Sequence, residues 1–369
     1  MDKRVQSEEI SAAEESTYCM RASPHARLLP LLLFLVASCH QDIQEVTLKT
    51  PLTGVNDKFF DVKALSPEKA IVIGYSGKIL MTTDGGRTWK SKPSGTELAL
   101  YSIQFVDAQN GWISGQDGLI LHTADGGESW QKQETGVPVP LFALWFADKD
   151  RGWAVGQQAT YVRTIDGGAT WQEGRIEVSL EGVSDDATLA MTDPTLFDVH
   201  FVGDKTGWMV GEFGKIYQST DGGVNWVEQQ NTLLGQAGFT DALNLPTWFG
   251  VRFRSATEGI VVGLEGRIAK TTDAGKTWAF TGLELGKSST DQLFAPRWVG
   301  TGDGWIVGAA GRVLRLNNGE WQPASLGVRS VTWLRSIDFF DENNGWIVGG
   351  YGTILRTSDG GKTWLPSMG

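Results

Sequence analysis

Cysteine is almost absent from this sequence of 369 residues, which contains only Cys19 and Cys39, both near the amino terminus. No cysteine pair remains in the body of the chain, so an internal disulfide framework is excluded and the fold depends on packing. Histidine is also rare, with four residues, and no Cys or His spacing typical of a metal site occurs. The sequence therefore predicts neither a bound metal nor a cofactor.

Basic residues are in deficit, with 32 Lys and Arg against 43 Asp and Glu, a formal net charge of −11. Binding to nucleic acid needs a basic footprint on the protein, so nucleic acid is excluded as a general partner. The chain also contains no serine nucleophile elbow and no phosphate-binding loop. We therefore expect a protein that is not an enzyme.

Long apolar runs are missing except for one of eleven residues, at positions 28–38, which ends at Cys39. A helix needs about 20 residues to cross a bilayer, whereas eleven suit the core of a signal peptide. The residues Val36-Ala37-Ser38-Cys39 resemble a bacterial lipobox, which makes Cys39 the predicted lipidation site. The alternative is a plain secretory signal with an incidental cysteine. Met20 begins a complete signal by itself and is the expected true start.

The predicted organisation follows from this signal. Residues 1–39 form the signal region, residues 40–56 a tether and residues 57–369 the folded body. We expect an exported, periplasmic monomer that is held to a membrane by its lipid. Because His40 and not Asp follows the cysteine, the outer membrane is favoured in a Gram-negative cell.

Glycine and tryptophan are abundant, with 47 and 16 residues, and their spacing shows seven repeats. One frame recurs with its second glycine at Gly74, Gly115, Gly156, Gly211, Gly263, Gly308 and Gly349. A period of about 40 to 50 residues containing several short strands is typical of a β-propeller. The sequence therefore predicts an all-β fold, a seven-bladed β-propeller with four strands in each blade. Two insertions, at 177–194 and 231–246, are expected between blades.

The end of each repeat matches the Asp-box, also called the bacterial neuraminidase repeat. Its acidic residues are Asp84, Asp125, Asp166, Asp221, Asp273 and Asp359. Its closing tryptophans are Trp89, Trp130, Trp171, Trp226, Trp278, Trp321 and Trp364. We expect each carboxylate to accept backbone N–H bonds in a hairpin turn, and each indole to be buried against that hairpin. These residues are interpreted as structural and not catalytic. The sixth copy, around Asn318, is shortened and is expected to be the weakest turn.

The first strand of each blade should surround the central channel, and one of its positions carries unusual charge. That position reads Lys63, Gln104, Trp145, His200, Arg252, Arg297 and Asp338. Lys63, His200, Arg252 and Arg297 are hypothesised to form a basic site for an acidic group of a partner. The alternative is that these side chains pair with acids such as Asp198 and Asp338 or are solvated. Earlier positions in the strand, such as Phe197 and Val199, are expected to form a buried face of period two.

From Phe59 to Trp364 the repeats resemble the photosystem II stability and assembly factor family, most clearly at Gly345 to Trp364. The resemblance implies a propeller, often lipid-anchored, that holds a membrane-protein subunit during assembly. Members of that family carry an arginine patch, to which only Arg252 and Arg297 could correspond. We therefore expect a non-catalytic, membrane-anchored scaffold for a membrane or envelope protein. The alternative is a sialidase-like or other glycan-acting hydrolase, which shares the Asp-box.

Overall fold

The computed structural model describes residues 53–177, 193–281 and 291–367. In these ranges the chain forms seven four-stranded antiparallel sheets, each made of four consecutive strands. The predicted seven-bladed β-propeller is therefore confirmed. The signal region, with Cys39, and most of the tether lie outside the described residues. Within the described ranges, no helix is both long enough and apolar enough to cross a membrane.

The strands are numbered in chain order, four to a blade. Blade one contains β1 (Phe59–Ala64), β2 (Ala70–Gly74), β3 (Ile79–Thr82) and β4 (Lys90–Lys92). Blade two contains β5 (Leu100–Phe105), β6 (Gly111–Gly115), β7 (Ile120–Thr123) and β8 (Gln131–Gln133). Blade three contains β9 (Leu141–Phe146), β10 (Gly152–Gly156), β11 (Thr160–Thr164) and β12 (Gln172–Arg175). Blade four contains β13 (Leu196–Val202), β14 (Thr206–Gly211), β15 (Ile216–Ser219) and β16 (Val227–Glu228).

The remaining three blades follow the same order. Blade five contains β17 (Trp248–Phe253), β18 (Gly259–Gly263), β19 (Ile268–Thr271) and β20 (Ala279–Phe280). Blade six contains β21 (Leu293–Val299), β22 (Asp303–Gly308), β23 (Val313–Asn317) and β24 (Glu320–Pro323). Blade seven contains β25 (Leu334–Phe339), β26 (Gly345–Gly349), β27 (Ile354–Thr357) and β28 (Leu365–Pro366). The described residues also contain short 3₁₀ turns at Gln116–Gly118, Gln230–Leu233, Ala242–Asn244, Leu264–Gly266 and Ala309–Gly311.

Both predicted insertions fall between blades. The second contains the 3₁₀ turns Gln230–Leu233 and Ala242–Asn244 and joins β16 to β17. The first joins β12 to β13, and most of it lies outside the described residues.

The first strand of every blade contacts the first strand of the next, and β25 of the last blade contacts β1. The ring therefore closes without any exchange of strands. Polar bonds join the two blades at this closure: the Ala64 N–H donates to Asp338 Oδ2 at 2.9 Å, and Ser336 Oγ donates to Asp61 Oδ1 at 2.5 Å. Farther out, Trp89 Nε1 donates to Ser367 Oγ at 3.2 Å.

Tryptophans of the second strands join neighbouring blades. Three of them stack closely on an aromatic ring in the first strand of the following blade, at centroid distances of 3.7 Å (Trp112–Phe146), 3.7 Å (Trp153–Phe201) and 3.4 Å (Trp208–Phe253). The same three indoles donate Nε1–H to a carbonyl in the next Asp-box turn, at Gly167, Gly222 and Ala274. Ring stacking and a partly buried hydrogen bond act together here, so these residues stabilise the contact between blades without a disulfide.

The six Asp-box carboxylates hold the turns between the third and fourth strands. Each accepts a backbone N–H from the residue four positions later, at 2.9 to 3.0 Å, the donors being Thr88, Ser129, Thr170, Asn225, Thr277 and Thr363. The bonds from Thr88 lower the pKa of Asp84 to about 2, because they favour the ionised carboxylate. Glycines such as Gly85 and Gly86 have positive φ in these turns. Among the described residues, Asp-box carboxylates thus bond locally within their hairpins.

The sixth turn is built differently. Asn318 and Gly319, both with positive φ, connect β23 and β24 as a two-residue hairpin loop. Asn-Gly is a favoured sequence for such a loop. The two strands pair at four positions, whereas β3 and β4 pair at three. The shortened repeat therefore has a tight turn in place of the carboxylate bonds, and that it is the weakest turn stays a prediction.

Candidate functional site

Every first strand contains a β-bulge near its start. The register shifts at one residue in each of the seven blades, and these residues are Phe60, Tyr101, Phe142, Phe197, Phe249, Phe294 and Arg335. A bulge places an extra residue in one strand and redirects its side chain. All seven side chains are partly exposed, although the residue before each of them is buried. We call these seven residues the channel collar.

The collar forms a continuous chain of contacts around the mouth of the channel. Neighbouring rings are separated by 5.5 Å (Phe60–Tyr101), 5.2 Å (Tyr101–Phe142), 5.6 Å (Phe142–Phe197), 5.1 Å (Phe197–Phe249) and 5.6 Å (Phe249–Phe294). The guanidinium of Arg335 lies over the ring of Phe294 at 5.5 Å. Trp333 stacks on Phe60 at 5.9 Å and extends this aromatic surface outward. The arrangement presents six aromatic rings and one cation at a single opening.

The sequence-based expectation that Phe197 shares a buried face with Val199 is wrong. Val199 is fully buried, but Phe197 is partly exposed and belongs to the collar. Strict alternation places both residues on one side of the strand, and the bulge breaks that alternation. A column of Phe and Tyr at one register position was visible in the sequence, although alternation alone assigns such a column to the core.

A second layer of the channel, below the collar, carries paired charges. Arg252 Nη1 lies 2.6 Å from Asp198 Oδ2, and Arg297 Nη2 lies 2.6 Å from Asp338 Oδ1. Lys63 Nζ lies 3.3 Å from Asp338 Oδ2. These cations therefore neutralise buried carboxylates, as the alternative interpretation of the sequence proposed.

The carboxylates of this layer also join blades through the backbone. Asp198 Oδ2 accepts the Val251 N–H at 2.9 Å, and Asp61 Oδ2 accepts the Ile103 N–H at 2.8 Å. Burial raises the pKa of both Asp61 and Asp198 above the ordinary range, although their hydrogen bonds oppose the shift. Backbone N–H groups of the next blade therefore hold both carboxylates in place. The inter-blade role of Asp61 was not predicted.

His200 differs from the other three residues of the hypothesised basic site. Its side chain is buried, and the Phe253 N–H points at its Nδ1 at 3.4 Å. Burial lowers its pKa well below the usual range, and the positive charges of Arg252 and Arg297 lower it further. His200 is therefore neutral near pH 7, and the expectation that it adds positive charge to the site is not supported.

A family model described as photosynthesis system II assembly factor YCF48 matches residues 42–141 and 313–368. The structure of YCF48 bound to a D1 peptide is similar with a TM-score of 0.63 and 19% identity, covering 84% of this chain and 95% of that one. YCF48 from Cyanidioschyzon merolae gives 0.65 and 17%, covering 83% and 97%.

The chain is a seven-bladed β-propeller that is similar to the photosystem II assembly factor YCF48 in these two segments and in its fold. Enzymes share its fold as well: the GH74 xyloglucanase of Xanthomonas campestris matches with a TM-score of 0.65 and 14% identity, covering 87% of this chain and 55% of that one. At such identities the likeness to solved structures concerns the fold alone. No curated protein matches the chain in sequence.

In this propeller, Lys63, Arg252 and Arg297 line a cavity of about 230 Å³ below the collar, together with Trp145 and Asp338. Arg252 also lies over the Trp145 ring at 6.0 Å. The fold therefore brings together three of the four predicted partner-binding side chains, and all three pair with acids. Within the described ranges, no group of three or more His, Cys, Asp or Glu side chains could hold a metal ion.

Proposed function

We propose that this propeller is a non-catalytic scaffold that holds a segment of a membrane protein at its channel collar. The observation that carries the proposal is the seven-fold bulge, which directs six aromatic rings and one guanidinium to one opening. Aromatic and arginine side chains dominate the binding energy of protein interfaces. The solved relative that is bound to a D1 peptide supports a membrane-protein segment as the client.

The buried polar groups support a binding role over hydrolysis. Hydrolysis of the sialidase type needs a tyrosine nucleophile beside an acid, and Tyr217 has Glu228 as its neighbour in β16. Burial raises the pKa of Tyr217 far above its ordinary value, which keeps the phenol neutral. Asp61 and Asp198 at the channel are engaged by backbone N–H groups. Cleavage of a reporter glycoside by the purified protein would contradict this part of the proposal.

The collar is tested by capture from detergent-solubilised membranes of the host. We expect the double variant Phe197→Ala/Phe249→Ala to retain at most about a tenth of the client, because two contact rings are lost at roughly 1 kcal/mol or more each. The control is Phe340→Ala, since Phe340 is exposed and follows the opposite end of a first strand. Equal capture of one membrane protein by all three proteins would contradict the proposal.

Membrane anchoring through Cys39 is the second part of the proposal, supported by the lipobox-like residues before it. We expect the wild-type chain in the membrane fraction and Cys39→Ser in the soluble fraction after cell fractionation, because the thiol is the acceptor of the lipid. Membrane association of Cys39→Ser at the wild-type level would exclude a lipid anchor at this residue.

A further inference from the structure

Arg335 occupies the seventh bulge position, at which every other blade has an aromatic residue. We infer that Arg335 and the neighbouring collar rings form a binding site for a carboxylate carried on an apolar group. The inference rests on the proposed function and specifies the chemistry of the client segment. The carboxylate is either the carboxyl terminus of a peptide or an acidic side chain beside an apolar residue.

Arg335 differs from the other channel cations in its partners. Lys63, Arg252 and Arg297 each have a carboxylate within 3.3 Å. Within the part of the chain that the structure describes, Arg335 makes no hydrogen bond and no ion pair, and its contact is with the Phe294 ring. A guanidinium has five donors, and no nitrogen of Arg335 is among the buried atoms without a partner, so these donors are accessible to an incoming group. An incoming carboxylate can accept two of these donors at once.

The charged side chains around the channel carry one more positive than negative charge. Among the described residues, the charged side chains that line its two cavities are the cations Lys63, Arg252, Arg297 and Arg335 and the anions Asp61, Asp198 and Asp338. The count of four against three leaves one excess positive charge in a chain whose net charge is −11. Asp61 and Asp198 attract Arg335 electrostatically but lie beyond ion-pair distance. One bound carboxylate would balance the channel.

The space at the collar suits a small group. The cavity between the collar side chains measures about 50 Å³ and is lined by Phe249, Phe294 and Arg335 among others. A single water needs about 10–15 Å³ of such space, so a carboxylate or a short aliphatic side chain fits and a folded domain does not. The apolar part of the ligand would contact the rings while the carboxylate reaches Arg335.

Three fluorescent peptides on one backbone test the inference by fluorescence anisotropy. The first is Gly-Ser-Gly-Ser-Ala-Leu with a free carboxyl terminus, the second is its amide, and the third is an amide with Glu in place of Ala. We expect at least one carboxylate-bearing peptide to bind wild-type protein about tenfold more tightly than the plain amide, because a charge-assisted pair is lost in the amide. Whether the first or the third binds more tightly identifies the source of the carboxylate.

Variants of Arg335 complete the test. Arg335→Met should bind all three peptides equally, whereas Arg329→Met, which removes an exposed arginine before the same strand, should keep the preference. Arg335→Lys keeps the charge without the two-pronged geometry and should retain part of the preference. Thermal melting of each variant verifies folding. Equal binding of acid and amide by wild-type protein, absence of binding, or an unchanged preference in Arg335→Met would overturn the inference.

The capture experiment separates this inference from the proposed function. Undiminished client capture by Arg335→Met, with loss in Phe197→Ala/Phe249→Ala, would leave the scaffold function standing and remove the carboxylate site. If the peptides showed a carboxylate preference that depends on Arg335 but no membrane protein were captured, the carboxylate site would stand and the scaffold function would be removed.

Discussion

Replacing Trp208 by Ala is expected to lower the free energy of unfolding by about 3–5 kcal/mol, because a fully buried indole leaves a large cavity. Trp208 stacks on Phe253 of the next blade at 3.4 Å, and its Nε1 donates to the Ala274 carbonyl at 3.0 Å. Both contacts join blade four to blade five. Denaturation in urea, followed by circular dichroism, measures the loss.

Trp208→Phe is the matched variant, since it keeps an aromatic ring and removes the indole N–H. We expect it to cost about 1–2 kcal/mol, which combines one lost hydrogen bond with a small cavity. If Trp208→Phe lowered the free energy of unfolding as much as Trp208→Ala, stacking across the blade boundary would contribute little. That result would contradict the assignment of Trp208 as an inter-blade contact.

The second large effect is expected at Asp338, the buried carboxylate at the ring closure. It accepts the Ala64 N–H and pairs with Arg297 and Lys63, so it joins blade seven to blades one and six. Removing one partner of a buried ion pair leaves the other charges uncompensated, which costs about 3–5 kcal/mol. We therefore expect Asp338→Ala to destabilise the propeller by that amount in urea denaturation at pH 7.

The pH dependence of this effect has a definite sign. Burial alone would raise the pKa of Asp338, but Arg297 and Lys63 outweigh it, and the pKa is lowered. A lowered carboxyl pKa contributes stability above the unfolded value of about 3.9, and that stability is lost as the pH falls through the folded value. The difference between wild type and Asp338→Ala should therefore shrink below about pH 4.

The control for Asp338 is Asp303→Ala. Asp303 pairs with Arg315 at 2.6 Å, but both side chains are about one-third exposed, at 30% and 37%. Solvent screens such a pair, so its removal is expected to cost less than about 1 kcal/mol. Similar losses in Asp303→Ala and Asp338→Ala would show that burial does not distinguish the two pairs.

Glycine and tryptophan spacing predicted the number of blades, the four strands in each and the Asp-box turns, because these residues serve local geometry that recurs in every repeat. Gly85 and Gly86 need positive φ in their turn, and Trp89 follows them at a set distance. The ring closure could not be predicted in the same way. It depends on Asp61 and Asp338, which do not recur in every blade and which bond to residues far apart in sequence.

The candidate site was predicted only in part. Register predicted that Lys63, Arg252 and Arg297 lie at the channel, and they line one cavity in the structure, but their acidic partners were visible only as alternatives. The collar was not predicted because a bulge changes the side that a residue faces, whereas the pattern of apolar residues in the sequence stays the same. Arg335 was missed for the same reason, since it lies at a position that alternation assigns to the core.

Site-specific crosslinking at the collar tests the central claim most directly. A photoreactive benzoylphenylalanine replaces Phe249 in one protein and the exposed Phe340 in another, and each is illuminated in host membranes. The account predicts a crosslink from position 249 to one membrane-protein segment and none to that segment from position 340. Crosslinks to that segment from position 340 alone, or from neither position, would contradict the collar as the binding site.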